Sequence, residues 1–284
     1  MKYEHFLKYA VVDLEATGAH AAAEIIQVGI VIIENNQITK TYQTDVNPHE
    51  PLSEHIIQLT GITDDQLAKA PDFSQVAGEI YDLIADCVFV AHNVKFDANL
   101  LAEQLFWQGF ELRTPRVDTV ELAQVFYPTF EKYTLEHLAK ALDLDLTDAH
   151  TAISDAYATA QLFLRLQAKI NQLPKEVLEK LLPFSDNLIF ETGMLIEAGF
   201  SQAKPFSPAT FQMVGDLVLR RPQAITEPRC LSDDFAVNVA LLGLDNREKQ
   251  AQFATLVKDE FASSAVSFLE AQAGIGKTYG YLLP

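Results

Sequence analysis

The sequence predicts an α/β protein: a mixed β-sheet flanked by helices, with a mainly helical C-terminal extension. Three patterns carry that expectation. Strand-like runs crowd the first 46 residues, two later apolar runs are each followed by a helical stretch, and helical periodicity dominates from residue 119 onward. The chain has 284 residues, 49% apolar and 21% charged, enough for one large core or two smaller ones and too apolar for wholesale disorder.

Residues 9–14 read as a buried strand ending in a functional turn, and 24–33, rich in β-branched residues, as a second strand. Asn35-Asn36 is a turn signal, and 37–46 alternate as a third strand, which makes an antiparallel meander. Helical patterns follow at 53–59 and 73–85. Val88 to Ala91 is a fourth strand, 96–107 a helix and Arg116-Val117-Asp118 a short fifth strand. Helices are then predicted at 119–126, 134–142, 151–169, 174–182, 187–198 and 246–261. A last strand, 265–270, runs into a glycine-rich turn. Asn171 to Pro174 marks a boundary, and Pro205, Pro208, Pro222 and Pro228 punctuate the segment beyond it. The domains expected are therefore 1–170 and 171–284.

Composition excludes several classes. Two distant cysteines, Cys87 and Cys230, cannot build a four-cysteine metal site and make a disulfide framework improbable. No stretch approaches 18 apolar residues, and the N-terminus lacks a signal-peptide pattern, so a cytoplasmic protein with no membrane partner is expected. The formal net charge is −18, of which residues 1–170, with 11 Lys+Arg against 25 Asp+Glu, carry −14. Such a chain repels a phosphate backbone, which argues against a simple electrostatic nucleic-acid binder. It is compatible with acids that hold cations.

Three motifs place acids where chemistry can use them. In Asp13-Leu14-Glu15-Ala16-Thr17-Gly18, residues i and i+2 of a strand share a face about 6.6 Å apart. Asp13 and Glu15 thus project together from the end of a buried strand. Two such carboxylates repel each other unless a divalent cation such as Mg²⁺ lies between them. In His92-Asn93-Val94-Lys95-Phe96-Asp97, the chain leaves the fourth strand and Asp97 falls in a first helical turn. In His150-Thr151-Ala152-Ile153-Ser154-Asp155, five residues of helix would leave the two side chains roughly 140° apart. His150 is therefore expected on the entering loop and Asp155 on the second turn. Taken singly, each motif reads equally as a solvated strand end, a helix-start acid or a surface imidazole.

The set and its order resemble the DnaQ-like branch of the DEDDh exonucleases over about residues 6–170, helped by Thr17-Gly18, Leu59-Thr60-Gly61 and the His-Asn-x-x-Phe-Asp wording of 92–97. The resemblance implies a ribonuclease H-like fold with a five-stranded mixed sheet. It implies two Mg²⁺ or Mn²⁺ held by Asp13, Glu15, Asp97 and Asp155, with His150 as general base. A 3′–5′ exonuclease of this kind removes nucleoside 5′-monophosphates from DNA 3′ ends. By the same resemblance Leu14, Thr17 and Gly18 grip the terminal nucleotide, and Leu59, Asn93 and Phe96 lie near the last bases. Relatives often carry His where Thr60 stands.

At the other end, Ala271-Gln272-Ala273-Gly274-Ile275-Gly276-Lys277-Thr278 matches the phosphate-loop pattern except that Ala271 replaces its first glycine. Backbone N–H groups of such a loop cradle phosphates, Lys277 supplies charge and Thr278 ligates Mg²⁺. Arg247-Glu248-Lys249-Gln250 resembles the adenine-reading element of superfamily-2 helicases. Together these resemble the DinG-type exonuclease/helicase proteins of Gram-positive bacteria, with a role in DNA repair or replication. The helicase part is expected to be truncated after the loop, able at most to bind ATP–Mg, with no ATP hydrolysis and with residues 265–284 poorly packed. Two other readings stay open: an RNA or oligoribonucleotide exonuclease of the same fold, and a phosphate-loop ATPase fragment carrying a binding-only exonuclease-like domain. Oligomeric state is left open.

Overall fold

Alternation along the first strand sets the architecture. In the computed structural model, which describes residues 8–20, 23–146, 150–221, 234–263 and 266–283, β1 (Lys8–Ala16) sends Ala10, Val12 and Leu14 to one face and Tyr9 and Val11 to the other. β2 (Ile25–Glu34) and β3 (Gln37–Asp45) extend the sheet antiparallel on one side. They are joined through Asn35 and Asn36, whose φ of 52° and 60° suit a two-residue hairpin turn. β4 (Val88–Ala91) and β5 (Arg116–Asp118) join parallel on the other side, giving the order β3-β2-β1-β4-β5. This is the mixed five-stranded sheet that the resemblance implies.

Helices cover both faces. α1 (Glu54–Thr60) and α2 (Asp64–Leu67) close a small cluster around Ile26 and Ile62. α3 (Phe73–Ile84) and α4 (Val94–Trp107) bury Ile80, Ile84, Leu101 and Leu105 against the Val12 face. On the Val11 face lie α5 (Thr119–Phe126), α6 (Leu135–Leu142) and α7 (Ala152–Asn171), with Leu122, Leu138 and Phe163 in the core.

α8 (Lys175–Ser185) and α9 (Met194–Gln202) add Leu178, Leu195 and Ile196 to that same core. Between them the chain clips the sheet edge. The β5 residue Arg116 donates its N–H to Glu191 Oε2 (2.9 Å) and accepts from the Glu191 N–H (3.0 Å), and Asp118 N–H donates to Thr192 Oγ1 (2.9 Å). An edge strand would otherwise offer unpaired backbone groups. This clip explains why the helix expected at 187–198 starts only at Met194: Glu191 and Thr192 serve the edge, and Phe190 turns at φ 48°. A hairpin that the sequence did not signal, β6 (Phe211–Val214) with β7 (Leu217–Arg220), follows.

The chain divides into compact units Met1–Leu219 and Arg220–Pro284, so residues 171–219 pack with the sheet. The second unit contains α10 (Phe235–Leu241), α11 (Glu248–Ser263) and α12 (Lys277–Leu282). Gly280 lets α12 lie directly on Phe253 of α11, whose Cδ1 would stand 2.6 Å from any added Cβ. The strand expected at 265–270 is not formed over residues 266–270. Val266 and Phe268 are 91% and 96% exposed, because no strand among the described residues lies beside them to complete a ladder. Pro222, Pro228, Cys230 and residue 265 lie outside the described residues. Cys87 is buried, and burial pushes its thiol up to about 11, the state of an inert core residue. No helix among the described residues is long and apolar enough to cross a membrane.

Candidate active site

The acids converge where β1 ends. Asp13 and Glu15 continue the Val11 face, which is the face α7 covers. Gly29 on β2 is the register partner of Asp13, and its missing side chain lets α7 come down: a Cβ there would stand 2.2 Å from the Ala152 carbonyl oxygen. Asp155, in the first turn of α7 rather than the second, then meets the β1 pair. Single carboxylate oxygens of Asp13, Glu15 and Asp155 all lie within 4.8 Å of one another.

Asp97 approaches from the opposite helix layer. α4 starts at Val94, two residues earlier than expected, because the Asp118 carboxylate accepts the Val94 N–H at 2.8 Å while also capping α5. Asp97, 5% exposed, accepts the Leu14 N–H through Oδ1 at 3.0 Å, so β1 and α4 are tied at the site.

Burial and repulsion from neighbouring carboxylates oppose the charged forms of all four acids. Asp13 is pushed well above the carboxylate range by burial, then by the charges of Asp97, Asp155 and Glu15. Burial and then Asp155 raise Glu15 to about 7. Burial raises Asp97 to about 8 against the opposing hydrogen bond from Leu14. Burial also raises Asp155, offset by hydrogen bonding from the His150 backbone and by the His150 imidazole. Asp155 Oδ1 is buried with no protein partner. An all-carboxylate donor set with an unpartnered buried oxygen fits a hard divalent cation.

These shifts carry a sign. Each acid binds its proton more tightly folded than unfolded, so between about pH 4 and pH 8 the native state holds more protons and stability falls as pH rises. In chelator, the melting temperature should drop from pH 5.5 to pH 8, and Mg²⁺ at pH 8 should restore it. A flat or rising profile in chelator would show that the acids are not mutually strained.

His150 sits on the loop before α7 with φ 68°, its Nε2 3.5 Å from Glu136 Oε1 of α6. The expected substrate residues are placed as follows. Asn93 (φ 73°) and Phe96 line a cleft of about 390 Å³ with His20, Lys95 and Asn99. Leu59 is 42% exposed on α1. The Leu14 N–H is engaged by Asp97, and the Thr17 N–H and Oγ1 are engaged by the Glu24 backbone, so Thr17 and Gly18 shape the β1–β2 turn. Thr60 points inward, donating to the Ile56 carbonyl and accepting from Ile62 N–H. His92 is also structural. Its Nε2 meets the Tyr133 carbonyl at 2.8 Å, its Nδ1 meets Thr119 Oγ1 at 2.9 Å, and burial lowers its pKa. Sequence reading missed Gly29, Asp118 and Gln27. Gly29 in a strand interior was the one visible signal, since glycine there marks a close approach.

In the second unit, Lys277 Nζ donates to the Ala271 and Gln272 carbonyls at 2.9 and 3.3 Å, folding the loop on itself. Buried Gln250 donates to the Gly276 carbonyl at 2.7 Å, and Arg247 donates to the Gly274 carbonyl at 3.5 Å. Gly276 (φ 84°) opens α12, and Thr278 is exposed on it. The upstream element and the loop are thus in contact.

Comparison with known proteins places the chain. It is 32% identical over 293 residues to the 3′-5′ exonuclease DinG of Bacillus subtilis (strain 168), covering 98% of this chain and 32% of that protein. To the 3′-5′ exonuclease DinG of Staphylococcus aureus (strain USA300) it is 35% identical over 284 residues, covering 97% of this chain and 32% of that one. The chain therefore spans about a third of the length of the curated relatives it matches. Among solved structures, the nuclease domain of 3′hExo, a DEDDh family member bound to rAMP, superposes with TM-score 0.51 at 21% identity, covering 58% of this chain and 94% of that one. Escherichia coli exonuclease I in complex with a dT13 oligonucleotide gives 0.54 at 19%, covering 62% and 44%. At those identities the structures establish the fold. The model of the exonuclease (RNase_T) family matches residues 10–163, the stretch that holds all four acids and His150, and the chain belongs to that family.

Proposed function

We propose that this chain is a metal-dependent 3′–5′ exonuclease that releases nucleoside 5′-monophosphates from DNA ends. The observation that carries the reading is the meeting of Asp13, Glu15 and Asp155 oxygens within 4.8 Å, flanked by Asp97 and the His150 loop. Asp13, Glu15, Asp97 and Asp155 would hold two Mg²⁺ or Mn²⁺, and bound there the ions would supply water activation and charge neutralisation at the departing 3′-oxygen. His150 takes the proton of the attacking water on its imidazole, as a positioned general base does. Glu136 holds that imidazole at 3.5 Å, on the loop that enters the helix of Asp155. Asn93, Phe96 and Lys95 offer the 3′-terminal nucleotides a polar, aromatic and cationic wall in an otherwise acidic domain.

His150→Ala should cost about 10²–10⁴-fold in turnover while leaving the melting temperature within a degree or two of wild type. Parity with wild type would remove His150 from the mechanism. DNA is the substrate proposed, on the fold shared with Escherichia coli exonuclease I solved with a dT13 oligonucleotide. DNA–RNA discrimination depends on contacts to the 2′-hydroxyl. Incubating 5′- and 3′-labelled DNA and RNA oligomers separates the cases. Single-nucleotide ladders from 5′-labelled DNA support the proposal, faster RNA decay moves it to an RNA exonuclease, and no decay of either leaves a binding-only domain.

The second unit supports a further role in a DinG-like protein of DNA repair or replication: ATP–Mg binding at Ala271–Thr278, for which the Gln250–Gly276 hydrogen bond is the supporting observation. Saturable binding of ATP–Mg that Lys277→Ala abolishes is the expected result.

A further inference from the structure

Three neighbouring strands carry Glu15, Gln27 and Asp45 side by side, since Glu15 pairs with Gln27 and Gln27 pairs with Asp45 in the sheet register. Register partners share a face, so Gln27 stands on the face that α7 covers, between two carboxylates. It is 3% exposed, a depth at which a carboxamide must have its hydrogen bonds made inside the protein. Both are made. Gln27 Nε2 donates to Asp45 Oδ1 at 2.7 Å, and Gln27 Oε1 accepts the Ala152 N–H at 2.8 Å.

The orientation of that amide is dictated by chemistry. An ionised carboxylate only accepts, so Asp45 holds the nitrogen end of Gln27 and turns the oxygen toward α7. Asp45 is itself held from the far side by Gln66 of α2, whose Nε2 donates to Oδ2 at 2.7 Å. A hydrogen-bonded chain thus runs Gln66, Asp45, Gln27, Ala152 across the sheet. Its last link satisfies the first backbone donor of α7, a group that the helix cannot satisfy itself. Gly29, two residues along β2, supplies the seat on which the Ala152 carbonyl rests. Three residues beyond Ala152, Asp155 faces the Asp13–Glu15 pair, and two residues before it comes His150.

We propose that Gln27 is a positioning residue for the nuclease reaction. It pins the first turn of α7 to β2, and with it the spacing of Asp155 from Asp13 and Glu15. The proposal rests on the exonuclease reading of the site. It predicts that loss of the pin lets the start of α7 lift from its seat, widening the carboxylate cluster without touching the substrate cleft.

The test uses the full chain with Gln27→Met, which keeps the volume and deletes both hydrogen bonds, and Gln27→Glu/Asp45→Asn, which keeps an acceptor for Ala152 and restores a donor between the two residues. Amide hydrogen exchange in metal-free buffer is the first readout. The Ala152 amide of Gln27→Met should exchange at least about 10-fold faster, and the swapped pair should recover protection. With Mn²⁺, Gln27→Met should lose about 10–100-fold in kcat, the usual cost of removing a group that orients metal ligands. Half-saturating Mn²⁺ should rise about as much, with KM for DNA unchanged. Unchanged exchange at Ala152 together with wild-type kcat in a cooperatively melting Gln27→Met protein would overturn the proposal. A wild-type chain that degrades no nucleic acid would overturn the exonuclease reading instead, while Ala152 exchange and direct Mn²⁺ titration would still judge the pin.

Discussion

Asp13→Asn is expected to abolish nucleotide release and, in chelator at pH 8, to raise the melting temperature. Both effects come from one arrangement. Asp13 lies at the centre of the cluster, and every cause acting on it, burial first and then Asp97, Asp155 and Glu15, opposes its charged form. An amide of the same shape removes the repulsion along with an oxygen proposed to bind metal. In a unit of this size each kcal/mol relieved is worth roughly 2–4 °C. The measurement is thermal melting of wild type and variant in chelator at pH 5.5 and pH 8, beside activity in Mg²⁺. The gain should be largest at pH 8, where wild type carries the most strain, and should shrink at pH 5.5. An inactive variant that also melts lower at pH 8 would mean that Asp13 supports the fold by hydrogen bonds that the charge balance hides.

Ending the chain at residue 170 is expected to destroy the domain, and ending it after Leu219 to preserve it. The core on the Val11 face is completed by Leu178, Met194, Leu195 and Ile196, all at most 8% exposed. Burial of each such side chain stabilises by roughly 1.5–3 kcal/mol. Their sum approaches the roughly 5–15 kcal/mol that holds a typical domain together. The shorter fragment also loses the Glu191 and Thr192 clip on β5, which frees an edge strand for association between chains. Residues 1–170 should therefore be insoluble or lack a cooperative melt, and residues 1–219 should melt cooperatively and keep nuclease activity. A well-folded, active 1–170 fragment would contradict this.

The difference between those two fragments shows where sequence reading reached its limit. β1 to β5 and the order of the acids were legible because strand alternation and motif spacing are local properties of the chain. Asp13 and Glu15 declare their shared face by being two residues apart. The contribution of residues 171–219 is not local. Leu178 and Ile196 sit on helices whose periodicity says that they bury a face, and nothing in the periodicity says against what. Asn171 to Pro174 looked like a boundary because proline ends a helix, yet a turn between packed helices has the same composition. The start of α9 shifted because the Glu191 backbone was recruited to the β5 edge, 75 residues away in sequence. Residues 265–270 read as a strand on propensity alone, and propensity yields no strand without a neighbour to pair with. Gln27 was invisible as a site residue for the same reason: its partners, Asp45 and Ala152, are 18 and 125 residues away.

If these carboxylates hold divalent cations for hydrolysis at a 3′ end, product release from a 5′-labelled single-stranded DNA depends on metal, and it is followed in chelator and then after Mg²⁺ or Mn²⁺ is restored. The expected result is no release in chelator, and stepwise shortening from the 3′ end with nucleoside 5′-monophosphate as product once metal is present. Undiminished release in chelator, or shortening from the 5′ end, would contradict it.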